Sequence, residues 1–218
     1  LPHKLDKPVL CYVTERRSLT PERGTTPAQA LTDVAARVAA AGVDWIQIRE
    51  KDLGSRALFD LTSEIVNRCA TACVLVNDRL DVALAAGAAG VHLGGESVPV
   101  AAVTRWVREH APAGFSVGKS CHSIEEARAA EKDGADYVFF GPIFATPSKL
   151  AYGPPQGTGR LRELCEGLGI PVIAIGGISP ENAGECIAAG AAGVAAIRWF
   201  QEAGDVVARV GALRDACR

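Results

Sequence analysis

The chain has 218 residues, 48% of them apolar and 22% charged, with a formal net charge of −2; this suits one domain with a sizeable core. The near-neutral balance gives no basic footprint for nucleic acid or an anionic membrane, which leaves small molecules or protein contacts as partners. Seven scattered cysteines, odd in number and without a CxxC pair, read as buried apolar residues of a reducing compartment, and with no signal segment or spanning apolar run a cytoplasmic location is expected.

The first eight residues carry two prolines and mixed charge, and read as a loosely held arm. Short apolar runs then alternate with longer amphipathic ones. Strands are expected at Val9–Thr14, Trp45–Arg49, Cys73–Asn77, Gly90–Leu93, Ser116–Ser120, Tyr137–Gly141, Val172–Gly176 and Val194–Arg198. Each is brief and nearly continuously apolar, as parallel strands buried on both faces are. Helical spacing marks Pro27–Ala41, Ser55–Cys69, Val100–His110, Ile124–Asp133, Arg160–Gly167, Pro180–Ala189 and Asp205–Cys217. These segments supply the crossovers that parallel strands require. A joint of one shape recurs at Gly42, Gly87, Gly134 and Gly190, where glycine would end a helix in the left-handed conformation shortly before a strand. Eight strand candidates, each followed by a helical or loop segment, predict an α/β fold, a single-domain (β/α)8 TIM barrel spanning 1–218. An open doubly wound sheet is the alternative. The one long irregular insertion, 142–158, reads as a mobile active-site loop.

In such a barrel, function gathers where the strands end. Gln47, Arg49 and Lys51 alternate and share one side of an extended segment, beside Asn77 and Asp78 on the next strand. Two cations there would hold an anion; the plainer alternative is a charged rim ladder with Glu50 pointing away. Gly176-Gly177 closes the seventh strand just before a helix start, where backbone N–H groups and helix potential suit a phosphate. A turn that merely needs glycine is the plainer reading. His122 follows the fifth strand and suits acid–base work, although a lone histidine is often structural. His92 lies mid-strand and reads as a packed barrel residue. Asp78 and Glu96 are the carboxylates placed to ligate Mg²⁺. Lys149, in the long insertion, would reach over a bound anion.

Six ordered motifs carry a family likeness: Gln47–Lys51, Asn77–Arg79, Gly90–Gly94, Gly118–Ser123, Gly141–Lys149 and Ala174–Ile178. From about Tyr12 to Ile197 the chain resembles the thiamin phosphate synthase / TenI-like thiazole tautomerase superfamily. The resemblance implies two chemistries. A synthase joins a pyrimidine diphosphate to a thiazole phosphate with Mg²⁺ and releases diphosphate. Gln47 and Asn77 would then touch the pyrimidine, Arg49, Lys51 and Lys149 the diphosphate, Asp78 the metal, and Gly177 the thiazole phosphate. Ser120 and Thr146 fall within the substrate-binding motifs. A tautomerase shifts a proton on a thiazole carboxylate phosphate and needs a phosphate pocket and an acid–base group, for which His122 stands in place, but no cofactor.

Two positions depart from the synthase pattern. Ser97 stands where a second metal aspartate is usual, with Glu96 one residue away, and Arg198 stands where a small residue usually lies near the thiazole phosphate. The stretch Gly153–Gly157 also looks more like the tautomerase branch. On the lost carboxylate the tautomerase reading is preferred and the synthase is the alternative. A non-catalytic regulator that binds thiamin phosphates, and another phosphosugar barrel, are the further rivals. No nucleic-acid or membrane partner is expected, and a homo-oligomer is compatible with the sequence.

Overall fold

Burial on both faces turns the apolar runs into parallel strands. The structure, a computed structural model, describes residues 7–146, 154–201 and 204–218. Its strands are β1 (Val9–Val13), β2 (Trp45–Ile48), β3 (Cys73–Asn77), β4 (Gly90–Leu93), β5 (Ser116–Cys121), β6 (Tyr137–Phe140), β7 (Val172–Ile175) and β8 (Gly193–Ala196). They pair in chain order and close into a barrel, with Val13 opposite Gln47 on one side of β1 and Val9 opposite Gly193 on the other. The fold is a (β/α)8 TIM barrel, as expected, and not an open sheet.

The crossovers are α1 (Pro27–Ala40), α2 (Ser55–Arg68), α3 (Leu80–Ala85), α4 (Val100–His110), α5 (Ile124–Lys132), α6 (Gly157–Gly167), α7 (Pro180–Ala188), α8 (Arg198–Gln201) and α9 (Val206–Ala216). Their starts are written in the sequence. Thr26 and Gln29 form a capping box ahead of Pro27, and Ser179 does the same with Asn182 ahead of Pro180. The four repeated helix-to-strand glycines all adopt positive φ, between 70° and 102°. No helix among the described residues is long and apolar enough to cross a membrane.

Three expectations need correction. The eighth strand stops at Ala196, and Arg198 opens the short helix α8 instead of ending a strand. That turn lets Phe200 bury against Tyr12, ring centroids 5.7 Å apart. Helix α6 begins at Gly157, so the end of the expected 142–158 loop is helical. Residues 80–85, expected as connection, form α3, a helix too short to show a clear period. Of the expected arm, Lys7 pairs with Asp44 at 2.9 Å and the Pro8 carbonyl accepts from Arg214 at 2.5 Å. Residues 1–6 and 147–153, with Lys149, lie outside the described residues.

Two apolar layers hold the barrel. One lies between strands and helices, and the other fills the interior with Val9, Cys11, Val13, Trp45, Leu75, Tyr137, Phe139, Ile173 and Ala195. Glycines on the inward register make room for the large rings. A Cβ on Gly118 would lie 2.0 Å from Cζ of Tyr137, so the Tyr137 ring occupies the space a side chain would take. Trp45 and Tyr137 meet edge to face, centroids 4.9 Å apart. These rings floor the mouth and keep polar chemistry at the C-terminal rim.

Candidate active site

Inward register brings the predicted polar residues of β2, β3 and β4 into one string. Gln47, 2% exposed, donates through Nε2 to Oδ1 of Asn77 at 3.1 Å. Asn77 donates through Nδ2 to Oδ2 of Asp78 at 2.6 Å. Oδ1 of Asp78 accepts from the Gly94 N–H at 3.0 Å and from the Ser97 hydroxyl. Asp78 has φ +62°, a left-handed conformation rare outside glycine that costs on the order of 1 kcal/mol and clusters at functional sites. Packing against neighbours pushes the Asp78 carboxyl up. Donation from Ser97 and Gly94, the Lys51 charge and the Asn77 amide outweigh that effect and hold it below the usual carboxylate range. Lys51, Asn77, Asp78 and Arg79 line a cleft of about 250 Å³ between the β2 and β3 loops. Arg79 itself turns outward to Asp81, Nε to Oδ1 2.8 Å, and to Ser55.

Glu50 is a residue to which the sequence assigns no role. It points away from the cations, but it is no rim ornament: it is 4% exposed and accepts from Thr14 Oγ1 at 2.6 Å and from Arg16 Nη1 at 2.9 Å. Thr14 Oγ1 in turn accepts the Arg49 N–H at 2.9 Å, which ties the first loop to the second. The Arg49 side chain lies 3.7 Å from the Glu15 carboxylate.

Below the mouth, His92 is fully buried, as expected of a packed residue, yet it is hydrogen-bonded at both nitrogens. Nδ1 lies 3.1 Å from the Tyr137 hydroxyl and Nε2 2.8 Å from Ser120 Oγ. Burial pushes its pKa down to about 3, so it is neutral at physiological pH. The candidate binding residue Ser120 is therefore oriented from beneath. His122, one step above, sets its Nδ1 2.6 Å from the Gly141 carbonyl. A carbonyl only accepts, so Nδ1 carries the hydrogen and the lone pair of the neutral ring is on Nε2. Gln156 Nε2 holds the His122 carbonyl at 2.9 Å.

Gly176 and Gly177 have φ of +100° and +68°. A Cβ on Gly176 would lie 2.6 Å from Cα of Pro142, and one on Gly177 would lie 2.8 Å from Cβ of Phe144. The turn thus needs glycine for its own geometry and for the loop packed on it, which is the plainer expectation. The phosphate role is a separate matter for which the site has the right parts: α7 starts at Pro180, and Arg198 reaches across from α8 to donate through Nη2 to Thr146 Oγ1 at 3.2 Å. Arg198 and Thr146, far apart in sequence, meet at this side of the mouth.

Asp78 and Ser97 place two hard oxygens in contact. Mg²⁺ commonly takes one or two carboxylates and completes its shell with substrate phosphates and water. The pair therefore fits such an ion in company with a diphosphate. Glu96 is exposed, and it is Ser97 that meets Asp78. Among the described residues no group of three His, Cys, Asp or Glu side chains could hold a metal unaided.

Comparison with known proteins gives the family. Residues 17–200 match the TMP-TENI family model, thiamine monophosphate synthase. A thiamine-phosphate synthase of Methanoculleus marisnigri is 46% identical over 186 residues, 84% of this chain and 86% of that protein. One of Roseiflexus castenholzii is 36% identical over 217 residues, 99% of this chain and 90% of that protein. The solved structure of thiamine phosphate pyrophosphorylase from Pyrococcus furiosus superposes with a TM-score of 0.82 at 33% identity, covering 96% of this chain and 95% of that one.

Proposed function

Because the chain belongs to the thiamine monophosphate synthase family, we propose that it is a transferase that couples a hydroxymethylpyrimidine diphosphate to a thiazole phosphate and releases diphosphate. This was the second choice on sequence grounds. The relatives named thiamine-phosphate synthase favour it over the tautomerase. One observation carries it: the Gln47–Asn77–Asp78–Ser97 string is assembled beside Lys51. A proton shift on a lone thiazole needs none of these residues.

The reaction breaks the carbon–oxygen bond to diphosphate and leaves a cation on the pyrimidine methylene, which the thiazole captures. Arg49 and Lys51 would stabilise the departing anion where its charge develops. Lys149 would join them by resemblance. The Gln47 and Asn77 amides orient the pyrimidine, and their mutual bond fixes which atoms they offer to it. Ser120, whose hydroxyl is held by His92, would contribute to the same binding site by resemblance. The ends of β7 and β8 receive the thiazole phosphate: Gly176 and Gly177 offer backbone N–H groups, and Arg198 and Thr146 close the opposite side. Asp78 and Ser97 would hold Mg²⁺, which supplies charge neutralisation to the diphosphate when bound. The aromatic floor keeps water from reaching the cation from below.

Incubation with both substrates and Mg²⁺ should release diphosphate in step with the coupled product. Absence of coupling in that assay overturns the synthase. One observation keeps the tautomerase as a second reading, the bond to the Gly141 carbonyl that fixes the orientation and tautomer of His122. Thiazole carboxylate phosphate alone, in a parallel assay, tests it. Turnover in either assay removes the idle regulator.

A further inference from the structure

The loop after β2 alternates its charges strictly. Gln47 bonds Asn77, Lys51 lines the cleft beside Asn77 and Asp78, and the Arg49 guanidinium lies 3.7 Å from the Glu15 carboxylate. Glu50, which lines the same cleft as Lys51, and Asp52 carry the intervening negative charges, and one side chain takes both. Arg16 Nη1 lies 2.9 Å from Glu50 Oε2 and 2.6 Å from Asp52 Oδ1, while its Nη2 pairs with Asp52 Oδ2. The Arg16 N–H adds a bond to Glu50 Oε1 at 3.0 Å. The Glu50 side chain is 1% exposed and that of Arg16 14%. A carboxylate so buried needs a charged partner, and a forked guanidinium is the group that can hold two at once.

We infer that Arg16 is a positioning residue for the anion seat: it grips the two carboxylates that flank Lys51, fixes that lysine toward Asp78, and shields an incoming diphosphate from both acids. The inference rests on the synthase reading above. Arg16 does not itself reach the ligand, since both terminal nitrogens are committed to Glu50 and Asp52. It acts through the backbone of Glu50, Lys51 and Asp52 and through the local charge. The Asp52 carboxyl is held well below the usual carboxylate range by Arg16, so it remains an anion beside Lys51 at any working pH. Without the guanidinium, Asp52 would keep only the exposed Arg17, 2.8 Å away, and the buried Glu50 would have no cation, so negative charge on either side of the lysine would oppose the substrate.

Titration calorimetry with inorganic diphosphate and Mg²⁺ tests this without turnover. Arg16→Gln should weaken diphosphate binding about tenfold or more. It should raise KM for the pyrimidine diphosphate by a similar factor and leave KM for thiazole phosphate unchanged. Arg16→Lys, which keeps the charge but loses the fork, should recover part of the affinity. Should Arg16→Gln fail to fold around a bare Glu50, the double variant Arg16→Gln/Glu50→Gln removes that buried charge and should still weaken diphosphate binding, by a smaller factor, because the fork that places the loop is gone while one acid no longer opposes the anion. Wild-type diphosphate affinity in a folded variant, with only the melting temperature lowered, overturns the inference. Wild-type protein that binds no diphosphate overturns the synthase reading instead.

Discussion

Ser97 donates its hydroxyl to the Asp78 carboxylate across the ends of β4 and β3, at the oxygen that also receives the Gly94 N–H. The residue that departs from the family's metal pattern thus occupies the place where a second carboxylate would complete an ion site. Ser97→Asp should lower the Mg²⁺ concentration for half-maximal coupling by about tenfold. In the absence of metal the same change should destabilise the protein by about 1 kcal/mol, because two carboxylates would then repel. Mg²⁺ titration of both the coupling rate and the melting temperature checks the pair of effects. An unaltered Mg²⁺ dependence would remove Ser97 from the site.

His122→Ala should abolish any proton shift on thiazole carboxylate phosphate and leave inorganic phosphate binding intact. The side chain bonds the Gly141 carbonyl. Tautomerase turnover at the wild-type rate would show that another group moves the proton.

Gly118→Ala should destabilise the barrel by about 3 kcal/mol or more, since the added methyl would overlap the Tyr137 ring in a packed interior. Chemical denaturation measures it. Relief by a second change, Tyr137→Phe, should be small, because the ring carbon Cζ is the closest clash. A near-neutral Gly118→Ala would mean that the floor is loosely packed.

His92 makes stability depend on acid. Its pKa is about 3 in the folded chain and near 6.5 when unfolded, so the unfolded state binds the extra proton between those values. The contribution is complete above about pH 6.5 and is lost as pH falls toward 3, at up to about 1.4 kcal/mol per pH unit. His92→Gln, which keeps hydrogen-bonding capacity but cannot titrate, should flatten the slope of unfolding free energy between pH 6.5 and 4. An unchanged slope would assign the acid sensitivity to other groups.

Strand positions and the polar strand ends were legible because each depends on a local pattern, apolar runs and alternation. The same alternation suggests one side for Gln47, Arg49 and Lys51, although Lys51 lies in a turn after Glu50, beyond the extended chain. What the pattern lacked was the partner across the chain. Nothing near Glu50 in sequence announces Thr14 and Arg16, 36 and 34 residues away. The contact of Ser97 with Asp78 required the turn after β4 to fold back on β3, and the sequence offered Glu96 as an equal candidate. Arg198 was misread because a run of Val, Ala and Ile looks the same whether it continues as a strand or, as here, bends after Ala196 so that Phe200 can reach Tyr12. The glycines at 176 and 177 stand out in the sequence, but a turn and an anion seat ask for the same residue.

The strict alternation after β2 has a bearing on how this chain can drift. Point changes there subtract one contact at a time. Loss or gain of a single codon between Gln47 and Lys51 would exchange the two sides wholesale, handing the acids to the mouth and the bases to Arg16. Change in paired codons would preserve the parity. Length variation among working descendants should therefore be confined to the segment from the Lys51–Asp52 turn onward, where the Leu53 N–H closes back on the Glu50 carbonyl, the chain is no longer extended and parity has ceased to dictate side.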